Sequence, residues 1–165
     1  MTRIHRIAAS AVVTALLGFM GAGVSAAPAV AACSGYSCHG LDPIAQGCSA
    51  TSTKGNSDSL VTVQNRYSQG CNANWARAEL TLQGYNNGDQ FIVWIDTTDS
   101  HGNSEFMCYP GPSNTGQLVE ACSGAKIHAT GWWYTDMVDG TNVTHACVDL
   151  YDSGGNFIEE RCVDQ

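Results

Sequence analysis

The chain is poor in basic residues. Its 165 residues include seven Lys and Arg against fifteen Asp and Glu, which gives a formal net charge of −8 at pH 7. Nucleic acids and anionic membrane surfaces are bound through clusters of Lys and Arg, so this charge balance argues against both as partners. An acidic surface of this kind mainly favours solubility.

Recognisable catalytic motifs are also missing. The sequence contains no Gly-x-Ser-x-Gly elbow, no His-Glu-x-x-His motif and no glycine-rich phosphate loop. Asp149 and Glu160 are predicted to lie near each other across the last hairpin, as the paired carboxylates of glycosidases do. Acidic residues are abundant enough for chance proximity to account for this pair, so we expect no catalytic residue and no cofactor.

Helix signals are scarce after the first thirty residues. Short runs of β-branched and aromatic residues are separated by Gly, Asn, Asp and Pro, a pattern typical of antiparallel strands. A polar loop is predicted at 49–59, and turns at 85–89 and 139–142. Strands are predicted at 60–67, 74–82, 90–97, 105–109, 117–121, 127–138, 144–151 and 157–161. The predicted fold is all-β, a small disulfide-stapled antiparallel β-sandwich, with a barrel as the alternative.

Residues 1–31 are predicted to be a secretory signal peptide. Arg3 and Arg6 precede an apolar run, and small residues follow it, with cleavage expected between Ala26 and Ala32. Residues 32–165 would then form a single disulfide-rich β domain of a secreted, extracellular protein without a transmembrane segment. The abundance of small residues in the signal favours a bacterial origin.

All eight cysteines lie after residue 31. An even number of cysteines in a short exported chain favours disulfides. The Cys-x4-Cys and Cys-x9-Cys gaps of the first three do not match the spacing of zinc sites, so we expect no metal. Lipidation of Cys33, which would anchor the chain to a membrane, is the minor alternative and would leave an odd number of thiols.

The bridges are only partly predictable from spacing. Cys147–Cys162 brackets a predicted hairpin, and Cys108–Cys122 brackets a turn-rich segment. The remaining four cysteines have three connectivities open to them. Of these we favour Cys33–Cys48 with Cys38–Cys71.

A weak internal repeat occurs at an offset of 53 residues. IDTTDSHGN (95–103) aligns with VDLYDSGGN (148–156), so that Asp99 corresponds to Asp152. Two interpretations are open. The segments are either similar acidic hairpin turns, or marks of an internal duplication in which two three-stranded meanders pack face to face.

NWARAEL (74–80) contains the first candidate binding residues. Strand alternation places Trp75 and Arg77 on one face, and Arg66 is another of the few basic residues. Arginine beside an aromatic ring on a polar face can hold an anionic or sugar ligand. Stacking of Arg77 on an indole, or its pairing with a carboxylate, is the structural alternative.

TGWWYTD (130–136) is the second candidate binding segment. Alternation places Trp132 and Tyr134 on one face and Trp133 on the other. If exposed, the first two rings would suit stacking on sugars or anchoring a protein partner. Burial of both faces in the sandwich core is the structural alternative.

Two segments, CSGYSCHGLDPIAQGC (33–48) and VQNRYSQGCNANWARAEL (63–80), resemble the YjfA-like family of secreted domains of unknown function from actinobacteria and bacilli. The matching positions are Cys33, Gly35, Cys38, Gly40, Asp42, Pro43, Cys48, Arg66, Tyr67, Ser68, Cys71, Trp75, Ala76 and Arg77. The resemblance covers about residues 33–82. It implies export and a disulfide-bonded β fold, and it implies no activity.

These features predict a secreted, non-catalytic binding module that presents an aromatic surface to a cell-wall glycan or to a protein partner. A small extracellular carboxylate-dependent hydrolase and an adaptor subunit of a larger secreted complex are the alternatives.

Overall fold

The computed structural model describes residues 31–109, 122 and 125–165, which fold mainly into β-strands. The predicted signal peptide lies outside these residues except for Ala31, and the predicted strand at 117–121 also lies outside them. The elements are a 3-10 helix (Gly35–Cys38), β1 (Ser52–Ser57), β2 (Val61–Ser68), β3 (Ala73–Leu80), α1 (Leu82–Asn87), β4 (Gln90–Thr98), β5 (Ser104–Tyr109), β6 (Trp133–Tyr134), β7 (Val138–Asp139), β8 (Thr144–Tyr151) and β9 (Phe157–Asp164).

The strands form two antiparallel sheets. Sheet A has the order β1-β2-β3-β6, with β7 also paired to β3, and sheet B has the order β5-β4-β8-β9. The two sheets pack face to face instead of closing into one continuous sheet. The predicted disulfide-stapled β-sandwich is therefore confirmed.

The main core lies between the sheets because apolar residues occupy alternate positions of the central strands. Phe91 and Ile95 of β4 are fully buried there, as are Val148 and Leu150 of β8. The intervening residues Trp94 and Asp149 consequently point to the outer face of sheet B, where Trp94 Nε1 donates a hydrogen bond to Asp149 Oδ1.

A buried amide network joins the two sheets beside β2 and β3. Asn65 Nδ2 donates hydrogen bonds to the carbonyl oxygen and Oγ1 of Thr144, at 3.0 and 2.8 Å. Asn74 Nδ2 donates to Asn65 Oδ1 at 2.9 Å. Because buried amides are costly to leave unpaired, this network sets the register of the strands that carry Arg66 and Trp75.

The segment before β1 covers one end of the outer face of sheet A. It forms a second, smaller core around Cys38, Cys48, Cys71, Trp75 and Met137, all of which are buried. Two disulfides tie this segment together and to the sheet.

The pairing of these disulfides differs from the prediction. Cys33 bonds to Cys38 and Cys48 to Cys71, so the predicted Cys33–Cys48 and Cys38–Cys71 bridges are wrong. The 3-10 helix folds the chain back within a few residues, which brings the Cα atoms of Cys33 and Cys38 to 5.1 Å. All four sulfurs lie within 4.8 Å of one another, so spacing alone does not select the pairs.

The two later bridges are as predicted. Cys147 and Cys162 face each other directly in the register of β8 and β9. Cys108 bonds to Cys122 and so ties the end of β5 to the segment that precedes Ile127.

Three local predictions are wrong. The polar loop at 49–59 contains β1, which pairs with β2 along its whole length. The predicted end of the second strand and the turn at 85–89 are instead largely α1, whose first turn is capped by Thr81 Oγ1 accepting the Gly84 N–H. The long strand at 127–138 is reduced to a bridge at Ile127 and the short strands β6 and β7.

The internal repeat maps to two hairpins of the same sheet. β4–β5 and β8–β9 lie side by side in sheet B and are joined by antiparallel pairing of β4 with β8. The prediction of two meanders packed face to face is therefore wrong.

The turns of these two hairpins are nevertheless equivalent in detail. In each turn the aspartate Oδ1 accepts the N–H groups two and four residues later, at 2.8 and 2.7 Å for Asp99 and at 2.8 Å twice for Asp152. The third residue after each aspartate is a glycine, Gly102 or Gly155, with φ of 83° or 82°. The interpretation as similar acidic hairpin turns accounts for the repeat.

Candidate functional site

The five predicted binding residues lie together on the outer face of sheet A. In the register of β2 and β3, Arg66 is opposite Trp75. On the other side of β3, Arg77 is opposite Tyr134 of β6. All four residues, with Trp132, line a single open groove of about 380 Å³. We call this groove the basic groove.

The segment before β1 forms one wall of the basic groove. Ile44, Cys48, Ser49 and Ala50 line it there, and the Ile44 side chain is exposed at the rim. A turn at Asp42 shapes this wall, since Asp42 Oδ1 accepts the N–H groups of the residues two and three positions later, at 2.7 and 3.0 Å. The Cys48–Cys71 bridge attaches the wall to the sheet.

The aromatic residues of the basic groove differ in exposure. Trp75 is only 4% exposed and belongs to the smaller core, so its ring mainly serves packing. Trp132 and Tyr134 are half-buried and line the groove. Trp133 points the other way and packs against the main core, as the alternation predicts.

Both arginines lie against indole rings. The Arg77 guanidinium carbon is 3.9 Å from the centroid of the Trp132 ring, and Arg77 Nε donates a hydrogen bond to Gln64 Oε1 at 2.8 Å. The Arg66 guanidinium carbon is 5.8 Å from the centroid of the Trp75 ring. Such contacts hold the cationic groups in place without neutralising their charge.

The two arginines have no acidic partner among the described residues. Arg161, by contrast, forms ion pairs with Asp58 at 2.6 Å and Glu159 at 3.0 Å. Burial lowers the pKa of both groove arginines; for Arg77 the charge of nearby Arg66 lowers the pKa further, and the charge of Glu79 partly opposes this. Arginine remains charged despite such shifts, so the groove concentrates positive charge on an acidic protein.

A second groove of about 350 Å³ lies on the other side of Trp132 and Tyr134. We call it the acidic groove, because Asp42 and Asp136 line it together with Tyr109 and Trp133. Tyr109 and Trp133 stack with their centroids 5.6 Å apart.

The Tyr134 hydroxyl stays protonated between the two grooves. Burial raises its pKa first, and the charges of Asp42 and Asp136 raise it further. Tyr134 is therefore a hydrogen-bond donor at the boundary, while the two carboxylates are acceptors.

Sequence reasoning did not identify Asp42 and Tyr109 as binding residues. Asp136 belongs to the aromatic segment TGWWYTD, but Asp42 and Tyr109 are far from it in the chain. They reach the acidic groove only through the packing of the segment before β1 and the end of β5. No local pattern signals this convergence.

The candidate carboxylate pair lies on the opposite sheet. Asp149 and Glu160 are direct partners in the register of β8 and β9, as predicted. Burial raises the pKa of Asp149, against the hydrogen bond that Trp94 Nε1 donates to its Oδ1 at 3.1 Å. Neither residue lines the basic or the acidic groove, so the pair is separate from the candidate binding site.

The cysteine cluster does not offer free thiolates for a metal. Four sulfurs, those of Cys33, Cys38, Cys48 and Cys71, lie close enough to hold an ion, but all four are in disulfides. A disulfide sulfur is not the thiolate ligand that zinc requires.

Within the described ranges, no helix is long and apolar enough to span a membrane. Comparison with curated proteins and with solved structures finds no match. Residues 36–147 match a family described as "Protein of unknown function (DUF2690)", and this segment includes both arginines and all the aromatic residues of the two grooves. The match extends over more than half of the chain and agrees with the expectation of a family without an assigned activity. The chain belongs to the DUF2690 family of proteins of unknown function.

Proposed function

We propose that this protein is a secreted, non-catalytic module that binds a cell-wall glycan across the basic and acidic grooves. The observation that carries the proposal is the convergence of Arg66, Arg77, Trp132 and Tyr134 on one open groove, beside a second groove with two carboxylates. Sugars are bound in this way by flat rings that stack on their apolar faces and by polar groups that bond their hydroxyls.

The shape of the surface favours a glycan over a protein partner. Trp132 and Tyr134 line both open grooves, whose volumes are about 350 and 380 Å³. A protein partner generally needs a wider contact area, with a buried apolar centre. An extended chain of sugars fits two adjacent grooves that share a pair of aromatic rings.

Export is part of the proposal and rests on two features. The predicted signal peptide precedes the β domain, and all eight cysteines form disulfides. Structural disulfides are typical of oxidising compartments outside the cytosol. The YjfA-like resemblance over residues 33–82 supports the same location.

The proposal is tested by co-sedimentation of the purified protein with insoluble bacterial cell walls. We expect wild-type protein to bind, and Trp132→Ala to bind about thirtyfold more weakly or worse, because a tryptophan anchor contributes about 2 kcal/mol or more. Phe157→Ala is the matched control, since Phe157 is an exposed aromatic residue of sheet B, 58% accessible.

Two results would count against a wall-binding function. One is the absence of wild-type protein from the pellet at any wall concentration. The other is equal binding by the Trp132→Ala and Phe157→Ala variants, which would show that Trp132 takes no part in binding.

A further inference from the structure

The two arginines of the basic groove form no ion pair within the part of the chain that the structure describes, and the charge of Glu79 acts on Arg77 only from beyond ion-pair distance. Arg66 and Arg77 are diagonal neighbours on adjacent strands, since Arg66 is opposite Trp75 and Arg77 is opposite Gln64. The Cβ atoms of diagonal neighbours lie within about 7–8 Å of each other. The two side chains line the same groove, and the charge of Arg66 lowers the pKa of Arg77, so the two guanidinium groups repel each other. The chain has fifteen acidic residues, yet none of those described lies within ion-pair distance of either arginine.

The hydrogen-bonding capacity of the pair is also largely unused. A guanidinium group has five N–H donors. Arg77 uses its Nε on Gln64, and none of the described residues accepts a hydrogen bond from its terminal nitrogens. Arg66 Nε is buried and has no partner in the same part of the chain. A buried donor without a partner costs free energy, so a ligand that brings a hydrogen-bond acceptor into the groove should be bound favourably.

Only an anion satisfies both conditions. A carboxylate or phosphate offers several acceptor oxygens and cancels the repulsion between two guanidinium groups, and arginine binds both anions in bidentate geometry. A neutral sugar hydroxyl accepts hydrogen bonds but leaves the charges uncompensated.

We propose that the basic groove binds the carboxylate or phosphate group of an acidic glycan, held between Arg66 and Arg77. The neighbouring sugar of the same chain lies across Trp132, with its hydroxyl groups directed to the carboxylates of the acidic groove. This inference rests on the proposed glycan-binding function and specifies the ligand class.

The test uses three preparations of the same bacterial cell wall. The first retains its phosphate-containing teichoic acids, the second has been stripped of them with hydrofluoric acid, and the third has been stripped and its carboxyl groups amidated with a carbodiimide. Loss of wild-type binding at the second step assigns a phosphate ligand, and loss at the third step assigns a carboxylate. Either result supports the inference.

Arg66→Gln and Arg77→Gln identify the groove as the binding site. Each variant should lose about ten- to hundredfold in affinity for the charged wall, as expected for charge-assisted hydrogen bonds. Each variant should bind the amidated wall with the same affinity as wild type. Lys54→Gln is the matched control, because it removes the same charge from an exposed position of sheet A and should bind like wild type.

Thermal unfolding shows whether a variant binds weakly because it has lost a ligand contact or because it no longer folds. Because neither arginine has an acidic partner among the described residues, the variants lose only the contacts with the indole rings and the Arg77–Gln64 hydrogen bond, so the melting temperatures of Arg66→Gln and Arg77→Gln should stay close to that of wild type. Equal wild-type binding to all three wall preparations, with both arginine variants resembling Lys54→Gln, overturns the inference and leaves the glycan-binding function standing. Failure of wild type to bind any preparation overturns both.

Discussion

Removal of the Cys48–Cys71 bridge tests the role of the segment before β1. The bridge closes a loop with a sequence separation of 23 residues, against 5 for Cys33–Cys38. In the chain-entropy relation these separations correspond to about 3.4 and about 2 kcal/mol of stability. Replacing both members of a bridge with alanine should therefore cost about 1.4 kcal/mol more for Cys48 and Cys71 than for Cys33 and Cys38.

Urea unfolding of the two double variants and wild type measures this difference through the shift in midpoint at constant slope. The Cys48/Cys71 variant should also lose binding to cell walls, because its bridge holds one wall of the basic groove. The Cys33/Cys38 variant serves as the control. A reversed order of stabilities, or equal wall binding by both variants, would refute this reasoning.

Peptide mapping checks the pairing on which this calculation depends. Chymotryptic cleavage after Tyr36 separates Cys33 from Cys38, and cleavage after Leu41 separates Cys38 from Cys48. Without reductant, the peptide with Cys33 should remain linked to the peptide with Cys38. Recovery of the Cys33 peptide linked to Cys48 would restore the pairing expected from spacing.

Three further predictions concern stability. Burial raises the pKa of Asp149, so the free energy of unfolding falls as the pH rises and the buried carboxyl group loses its proton. Asp149→Asn should therefore raise the melting temperature at pH 7, and this gain should vanish below about pH 4, where the carboxyl group is protonated in the unfolded chain as well. Gly102→Ala and Gly155→Ala should each cost about 1 kcal/mol in urea unfolding, because both positions have positive φ. Gly84→Ala should destabilise by about 2 kcal/mol or more, although alanine favours helices, since the added Cβ would lie 2.3 Å from the Leu60 carbonyl oxygen.

Each of these has a clear contrary result. A lower melting temperature of Asp149→Asn at pH 7 would mean that the carboxylate stabilises the fold. A neutral effect at only one of the two turn glycines would show that the turns are not equivalent. Greater stability of Gly84→Ala would mean that α1 does not dock closely on the preceding loop.

The central strands are predictable because their patterns are local. Runs of β-branched and aromatic residues between turn residues predict β8 at the observed bounds and β4 within one residue. β1 has no such pattern. Its residues STKGNS are mostly exposed, and only the hydrogen bonds to β2 make the segment a strand.

The cysteine pairing was not predictable from spacing for a geometric reason. The four sulfurs before residue 72 converge within 4.8 Å, so several pairings connect neighbouring atoms. The choice depends on the fold-back at Gly35–Cys38, a short 3-10 helix with no strong sequence signal. The Cys147–Cys162 pair was predictable because a hairpin places its two ends opposite each other.

The candidate site was predictable only in pieces. Strand alternation correctly places Trp75 with Arg77, and Trp132 with Tyr134. That these two pairs share one groove depends on the pairing of β3 with β6, strands more than fifty residues apart. Such long-range pairing follows from the packing of the whole sandwich, which a local pattern does not encode.

The most direct test of the binding site uses the indole signals of the four tryptophans in a nuclear magnetic resonance titration. Two of these signals report on different sheets. Trp132 lies at the grooves of sheet A, and Trp94 donates its indole hydrogen bond to Asp149 on sheet B. Titration of ¹⁵N-labelled protein with soluble acidic cell-wall fragments should shift the Trp132 indole signal and leave that of Trp94 in place. A shift of the Trp94 signal alone, or no shift at either ring, would contradict a glycan site on sheet A.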